Sequence, residues 1–232
     1  MSKHLEREIE TLKCNLLTMG TAAENAVASA FEAVSTRNYA LAERVVADDA
    51  RIDEWEIEIE EECLKMLALY RPDGDDLRFV VTALKMNAEL ERMADLAANI
   101  AGTCKFIAKQ PELKLPQHLS TMADIVKEMV EKIIRSLVRR DAKSAMEVIA
   151  DEQKIDALHV RTYEMAEKTM EKEPACARQW LTIVAVSKQL ERIADHAMNI
   201  GEDVIYLLTG EIVRHRVGEY IAKSKSAGKS KK

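Results

Sequence analysis

A twelve-residue stretch occurs twice in this chain. Residues 90 to 101 read LERMADLAANIA and residues 190 to 201 read LERIADHAMNIG, so eight of twelve positions are identical at an offset of 100. Each copy spaces Glu, Asp and Asn four residues apart: Glu91, Asp95 and Asn99 in the first, Glu191, Asp195 and Asn199 in the second. On an α-helix a step of four residues advances about 400°, so each set forms one slightly slanting stripe with about 6 Å between members. In the second copy Asp203 continues the stripe where the first has Thr103, and His196 replaces Leu96.

The duplication extends well beyond that stretch. VVADDARID at 45 to 53 matches VIADEQKID at 148 to 156, now at an offset of 103. Each of these segments carries a second acidic pair at helical spacing, Asp49 with Asp53 and Glu152 with Asp156. A chain built from one unit repeated near every 100 residues folds as two similar bodies.

Each body is expected to hold three helices. Apolar residues at Leu5, Ile9, Leu12, Leu16, Met19, Ala23, Ala26, Ala30 and Val34 mark a first helix over about 2–36. Asn38 caps a second, whose apolar residues are Ala42, Val45, Val46, Ile52, Trp55, Ile59, Leu64 and Leu67, and Pro72-Asp73-Gly74 stops it. A third spans about 76–109, and the loop around Pro111 and Pro116 separates the halves. The second half repeats the plan, with helices over about 117–139, from Asp141 to Pro174, and over about 178–209. The fold class expected is all-α, two tandem pseudo-symmetric three-helix bundles with antiparallel neighbours, over 1–112 and 113–217, followed by a basic, disordered tail at 218–232.

Composition narrows the function. Only seven glycines and four prolines interrupt a sequence rich in helix formers. The net charge is −6, and residues 218–232 hold five lysines and one glutamate, so the body is more acidic still and no nucleic-acid partner is expected. No apolar run is long enough to span a membrane and the N-terminus is a charged helix start, so a cytoplasmic protein is expected. Cys14, Cys63, Cys104 and Cys176 lack any paired spacing and read as ordinary buried thiols.

The acidic pairs are the chemical signal. On the third and sixth helices Glu91, Asp95, Glu191 and Asp195 sit beside the apolar seam, and the pairs on the second and fifth helices can face them. Four carboxylates converging between two helices repel strongly unless protonated or neutralised by cations. Oxygen donors of this kind suit divalent or trivalent metal ions: iron, manganese, magnesium, calcium and, less well, zinc. The candidate ligands are Asp49, Asp53, Glu91, Asp95, Asn99, Glu152, Asp156, Glu191, Asp195, Asn199 and Asp203. The alternative is a solvated acidic face on a purely structural bundle. His159 lies one turn after Asp156 and reads as a rim histidine. The di-iron Glu-x-x-His motif is absent, and Gly228-Lys229-Ser230 only imitates a phosphate-binding loop.

Taken together, two three-helix halves, each with LER-[IM]-A-D and an upstream acidic pair ending in Ile-Asp, resemble the PhoU family, the phosphate-specific transport system accessory proteins. The resemblance covers about residues 3–216, including Asp76-Leu77-Arg78 and Gly210-Glu211-Ile212-Val213-Arg214-His215. It implies a non-enzymatic negative regulator of phosphate uptake and of the phosphate-starvation response. The implied partners are the ATPase subunit of the phosphate ABC transporter, PstB-like, and a sensor histidine kinase, PhoR-like, with a homodimer as the common assembly. It further implies multinuclear metal binding through Asp49, Asp53, Glu91, Asp95, Glu152, Asp156, Glu191 and Asp195. A metal-dependent phosphohydrolase working at the same acidic rims is the competing class.

Overall fold

The computed structural model describes residues 3–111 and 114–214. The six helices are α1 (Lys3–Thr36), α2 (Tyr39–Tyr70), α3 (Gly74–Ile107), α4 (Gln117–Arg139), α5 (Ala142–Lys172) and α6 (Ala177–Thr209), with no strand among the described residues. The expected division at 112/113, the start at Ser2 and the basic tail all lie outside the described residues, wholly or in part.

The first turn of each repeat is built the same way. α1 ends with Arg37 in the left-handed region, φ 57°, and α4 ends with Arg140 at φ 52°. In both, the next residue's N–H reaches back to close the helix: Asn38 to the Ala33 carbonyl at 2.8 Å, Asp141 to that of Ser136 at 2.9 Å. That same residue then caps the following helix. The Asn38 side chain accepts from the Leu41 N–H at 3.1 Å, and Asp141 accepts from Lys143 and Ser144. One residue ending one helix and starting the next leaves no slack, so each pair must run antiparallel.

The second turns differ. Arg71, Pro72 and Asp73 separate α2 from α3, whereas Glu173 alone separates α5 from a 3-10 turn, Pro174–Cys176, that takes the place of the first turn of α3. This shortening accounts for the offset falling from 103 to 100. The Arg37 guanidinium donates to the carbonyls of Ile107, Ala108 and Gln110, closing the far end of α3.

Helix contacts run α2 to α3, α3 to α6 and α6 to α5, forming one four-helix layer. α1 covers α2 and α3 from one side, α4 covers α5 and α6, and α1 touches α4. The cover is tight where side chains vanish: a Cβ on Gly20 of α1 would stand 2.9 Å from Ile134 of α4. A continuous core follows, through Leu12, Leu16 and Met19 of α1, Met86, Leu90 and Met93 of α3, Leu119 and Met122 of α4, and Leu190 and Ile193 of α6. On α2 two expectations are corrected. Val46 and Leu64 are exposed, and Cys63 and Met66 are buried instead, because α2 lies at the edge of the layer, packs on α3 and α1, and has a narrow apolar seam. On α1, Val27 rather than Ala26 is the fully buried residue.

Being central in the layer and roofed by α1, α3 is buried on three sides. The exposed residues in its middle are Arg92, Asp95, Asn99 and Gly102, a single strip facing away from α1. α6 is enclosed in the same manner by α3, α4 and α5. Since α1 and α4 share one side, the open strips of α3 and α6 share the other.

Candidate metal centres

In the first repeat the acidic pairs of α2 and α3 meet across the antiparallel interface. Asp49, Asp53 and Asp95 each place a carboxylate oxygen within 4.8 Å of the others. Asp53 and Asp95 are exposed and Asp49 is half-buried. Burial, then the charges of Asp95 and Asp53 and a hydrogen bond with Asp95, push the Asp49 carboxyl from 3.8 up to about 6. Glu91 is also pushed up, by burial first and then by Asp95, Asp53 and Glu56, with Arg92 offsetting part. Asn99 is exposed one turn beyond Asp95 on the same strip.

The second repeat brings together Glu152, Asp156, Glu191 and Asp195. Burial raises the Glu152 carboxyl, and the charges of Asp156, Asp195 and Glu191 and a hydrogen bond with Asp156 raise it further. Asp195 rises for the same reasons, burial and then Glu191 and Asp156, against opposition from Lys188 and His196. Among the described residues the compact oxygen triad occurs in the first repeat alone. Lys188 contributes to the difference, its Nζ lying 2.6 Å from Oε1 and 2.5 Å from Oε2 of Glu191.

Two proposed ligands of the second stripe stand elsewhere. Asp203 is buried in the α3–α6 seam, 2.7 Å from Lys85 Nζ and 3.6 Å from Arg214 Nη2, a structural ion pair instead of a ligand. Asn199 turns toward the same seam, donating to Glu89 Oε2 at 3.2 Å, and His196 Nδ1 is 2.6 Å from that oxygen. Each step of four overshoots a full turn by about 40°, so by Asp203 the stripe has drifted into the neighbouring helix, while Asn199, whose counterpart Asn99 stays exposed, is drawn in by Glu89. Burial pushes the Glu89 carboxyl up, but the hydrogen bonds of His196 and Asn199 and the charges of His196 and Arg92 outweigh it and leave it lowered. His159 hydrogen-bonds Ser187 Oγ through Nδ1 at 2.8 Å and is lowered chiefly by burial.

Sequence reasoning missed Glu89, Glu56 and Lys188. The signal was present in the repeat, where Glu89 aligns with Gln189, Ala88 with Lys188 and Glu56 with His159. Chemically, the first set is an all-oxygen cluster carrying more negative charge than its surroundings relieve. The residues present fit a hard cation: one would cancel the repulsion between the helices.

The comparisons with known proteins agree with the two-repeat helical fold. A family model described as the PhoU domain matches twice, over residues 16–103 and 119–204, once in each three-helix set. The phosphate-specific transport system accessory protein PhoU homolog of Aquifex aeolicus is 36% identical over 213 residues, 91% of this chain and 96% of that protein. The homolog from Zymomonas mobilis is 32% identical, covering 92% of this chain and 90% of its own. Among solved structures, PhoU from Pseudomonas aeruginosa superposes with a TM-score of 0.85 at 30% identity, covering 89% of this chain and 99% of that one. The phosphate transport system regulatory protein PhoU from Streptococcus pneumoniae gives a TM-score of 0.81 at 25% identity, with 90% and 99% covered.

Proposed function

Because the chain belongs to the PhoU family, we propose that it is a regulatory accessory protein of phosphate transport, a metal-binding adaptor between the ATPase of a phosphate ABC transporter and a sensor histidine kinase. Its two units are the three-helix repeats on either side of residues 112–113. The observation that carries the metal reading is the unrelieved repulsion among Asp49, Asp53, Glu91 and Asp95, on a strip that the layer leaves open. Asp49, Asp53, Glu91 and Asp95 would hold a cation in the first repeat, and Glu152, Asp156, Glu191 and Asp195 in the second. A bound divalent or trivalent ion supplies positive charge; the carboxylates orient it toward the open face, where a protein partner can meet it.

The adaptor role is favoured over a phosphohydrolase because Asp53 and Asp95 lie exposed on an open strip, whereas a hydrolytic centre holds its substrate and one activated water in an enclosed site. Exposed apolar side chains on the outer helices, Ile57 and Leu64 on α2, Val160 and Tyr163 on α5, support self-association as a homodimer. No described helix is long and apolar enough to cross a membrane, which suits a cytoplasmic adaptor.

Elemental analysis of the purified full chain before and after chelation, paired with capture of the transporter ATPase and the kinase in Mn²⁺ or in chelator, tests the reading. Metal in the purified protein and metal-dependent capture are expected. Absence of metal with capture indifferent to chelation sinks the metal role. Phosphatase turnover abolished by Asp95→Ala and Asp195→Ala replaces the adaptor with an enzyme.

A further inference from the structure

The two acidic centres descend from one motif but differ in charge. Around the first stand Asp49, Asp53, Glu91 and Asp95, and Glu56, which acts on Glu91, makes a fifth carboxylate. Around the second stand Glu152, Asp156, Glu191 and Asp195, with His159 at the position of Glu56 and Lys188 at the position of Ala88. With the histidines neutral, five carboxylates and Arg92, which acts on Glu91, give a formal −4 in the first set, while four carboxylates and Lys188 give −3 in the second.

Lys188 is placed to matter. It lies one turn before Glu191 on α6, its ammonium contacts both oxygens of that carboxylate, and its charge acts on Asp195 as well. An ammonium on a carboxylate does part of what a cation would do there: it cancels repulsion and occupies the lone pairs a metal would use. The first repeat has no ammonium in contact with a ligand carboxylate: Ala88 has no charge, and Arg92, whose charge offsets part of the rise of Glu91, makes its ion pair with Glu89 at 3.6 Å.

Resting on the metal-binding reading above, we propose that Lys188 is a tethered counter-ion of the second centre, so that the two repeats take up metal with unequal affinity and the first loads before the second. A divalent ion entering the second centre must displace the ammonium from Glu191 and then bear its repulsion. In the first centre no ammonium stands on a ligand carboxylate, and the ion has none to displace. The molecule thereby has three states along one metal-concentration axis: empty, half-loaded and full.

The test is a Mn²⁺ titration of the chelator-treated full chain at pH 7.5, following free Mn²⁺ by electron paramagnetic resonance. The variants are Lys188→Met, Ala88→Lys and the pair Asp49→Asn with Asp95→Asn. Wild type should show a tight and a weak class. Lys188→Met, which keeps the aliphatic stem and removes the charge, should tighten the weak class by about tenfold or more, corresponding to about 1.4 kcal/mol. Ala88→Lys should weaken the tight class, and the Asp49/Asp95 variant should abolish it while leaving the weak one. Position 188 is half-exposed on a helix, and circular dichroism verifies that each variant is folded. An unchanged weak class in Lys188→Met, or loss of the weak class in the Asp49/Asp95 variant, overturns the inference while the metal reading stands. No Mn²⁺ uptake by wild type overturns both.

Discussion

The Asp49 carboxyl on α2 and that of Asp95 on α3 hold oxygens within 4.8 Å of each other, and burial together with the charge of Asp95 raises Asp49 to about 6. A proton below that value, or a cation above it, relieves the same repulsion between the two helices.

The first prediction concerns pH. The folded-state value of Asp49 is raised to about 6, above its ordinary 3.8, so folding favours its protonated form. The stability this confers is complete below 3.8 and is lost as pH rises through about 6. Asp49→Asn keeps the shape and removes the titration. In chelator, the variant should melt higher than wild type at pH 7.5, and the gap should close as pH falls through 6 towards 4. Histidines that titrate the other way, buried His118 and half-buried His159, are common to both proteins and cancel in the comparison. A gap that stays constant from pH 4 to 8 contradicts the assignment.

Metal should stabilise the fold. At free Mn²⁺ of about one hundred times the dissociation constant, each site contributes about 2.7 kcal/mol by mass action. Thermal melts of wild type with and without Mn²⁺ at pH 7.5 should differ by several degrees, and by less at pH 5.5, where the proton on Asp49 competes. The Asp49→Asn, Asp95→Asn variant should retain only the part due to the second repeat. Identical shifts in variant and wild type would place the ion elsewhere.

Lys85 and Asp203 bind the two repeats to one another across the α3–α6 seam. Lys85→Met leaves a buried carboxylate with Arg214 as its remaining cation at 3.6 Å, and should cost about 1–3 kcal/mol. Adding Asp203→Leu to it should recover most of that loss, since a well-packed apolar pair replaces a buried ionic one at little net cost. Urea melts of the single and double variants measure both steps. A double variant as unstable as the sum of its singles would show that the two residues do not act as a pair.

Two helix-interior glycines should respond in opposite directions. A Cβ on Gly102 meets nothing within 4 Å, so Gly102→Ala removes a helix penalty and should stabilise by about 1 kcal/mol. A Cβ on Gly201 would lie 3.0 Å from Ile149 Cγ1 and 3.2 Å from the Ala145 carbonyl of α5, so Gly201→Ala should destabilise by about 1–3 kcal/mol. Equal effects in denaturant melts would contradict the α5–α6 approach described here.

The helices were legible because their ends carry strong local chemistry. Asn38 and Asp141 cap as expected, and Pro72 to Gly74, Pro111 and Pro174 stop helices within about two residues of the places read from the sequence. The facing of the acidic pairs was legible because repeats and helical period act together. What was not legible was orientation around each helix. Asn99 and Asn199 occupy the same motif position, yet only Asn199 is drawn into a hydrogen bond in the seam, because Glu89 waits there and its counterpart is Gln189. Asp203 belongs to the stripe in one dimension and to Lys85 in three. Val46 and Leu64 follow an apolar period but fall outside a seam whose width only the neighbours determine.

The unequal second turns have a practical consequence. Three residues join α2 to α3, and one residue with a 3-10 turn joins α5 to α6, yet the acidic pairs meet in both repeats. Registry between the carboxylates is therefore held by mid-helix packing and is insulated from what happens at the tips. The tip at Arg71 to Asp73 is accordingly a splice point: a fluorescent reporter or affinity tag inserted there leaves the ion-facing side chains in step, which makes the protein convertible into a metal-reading probe.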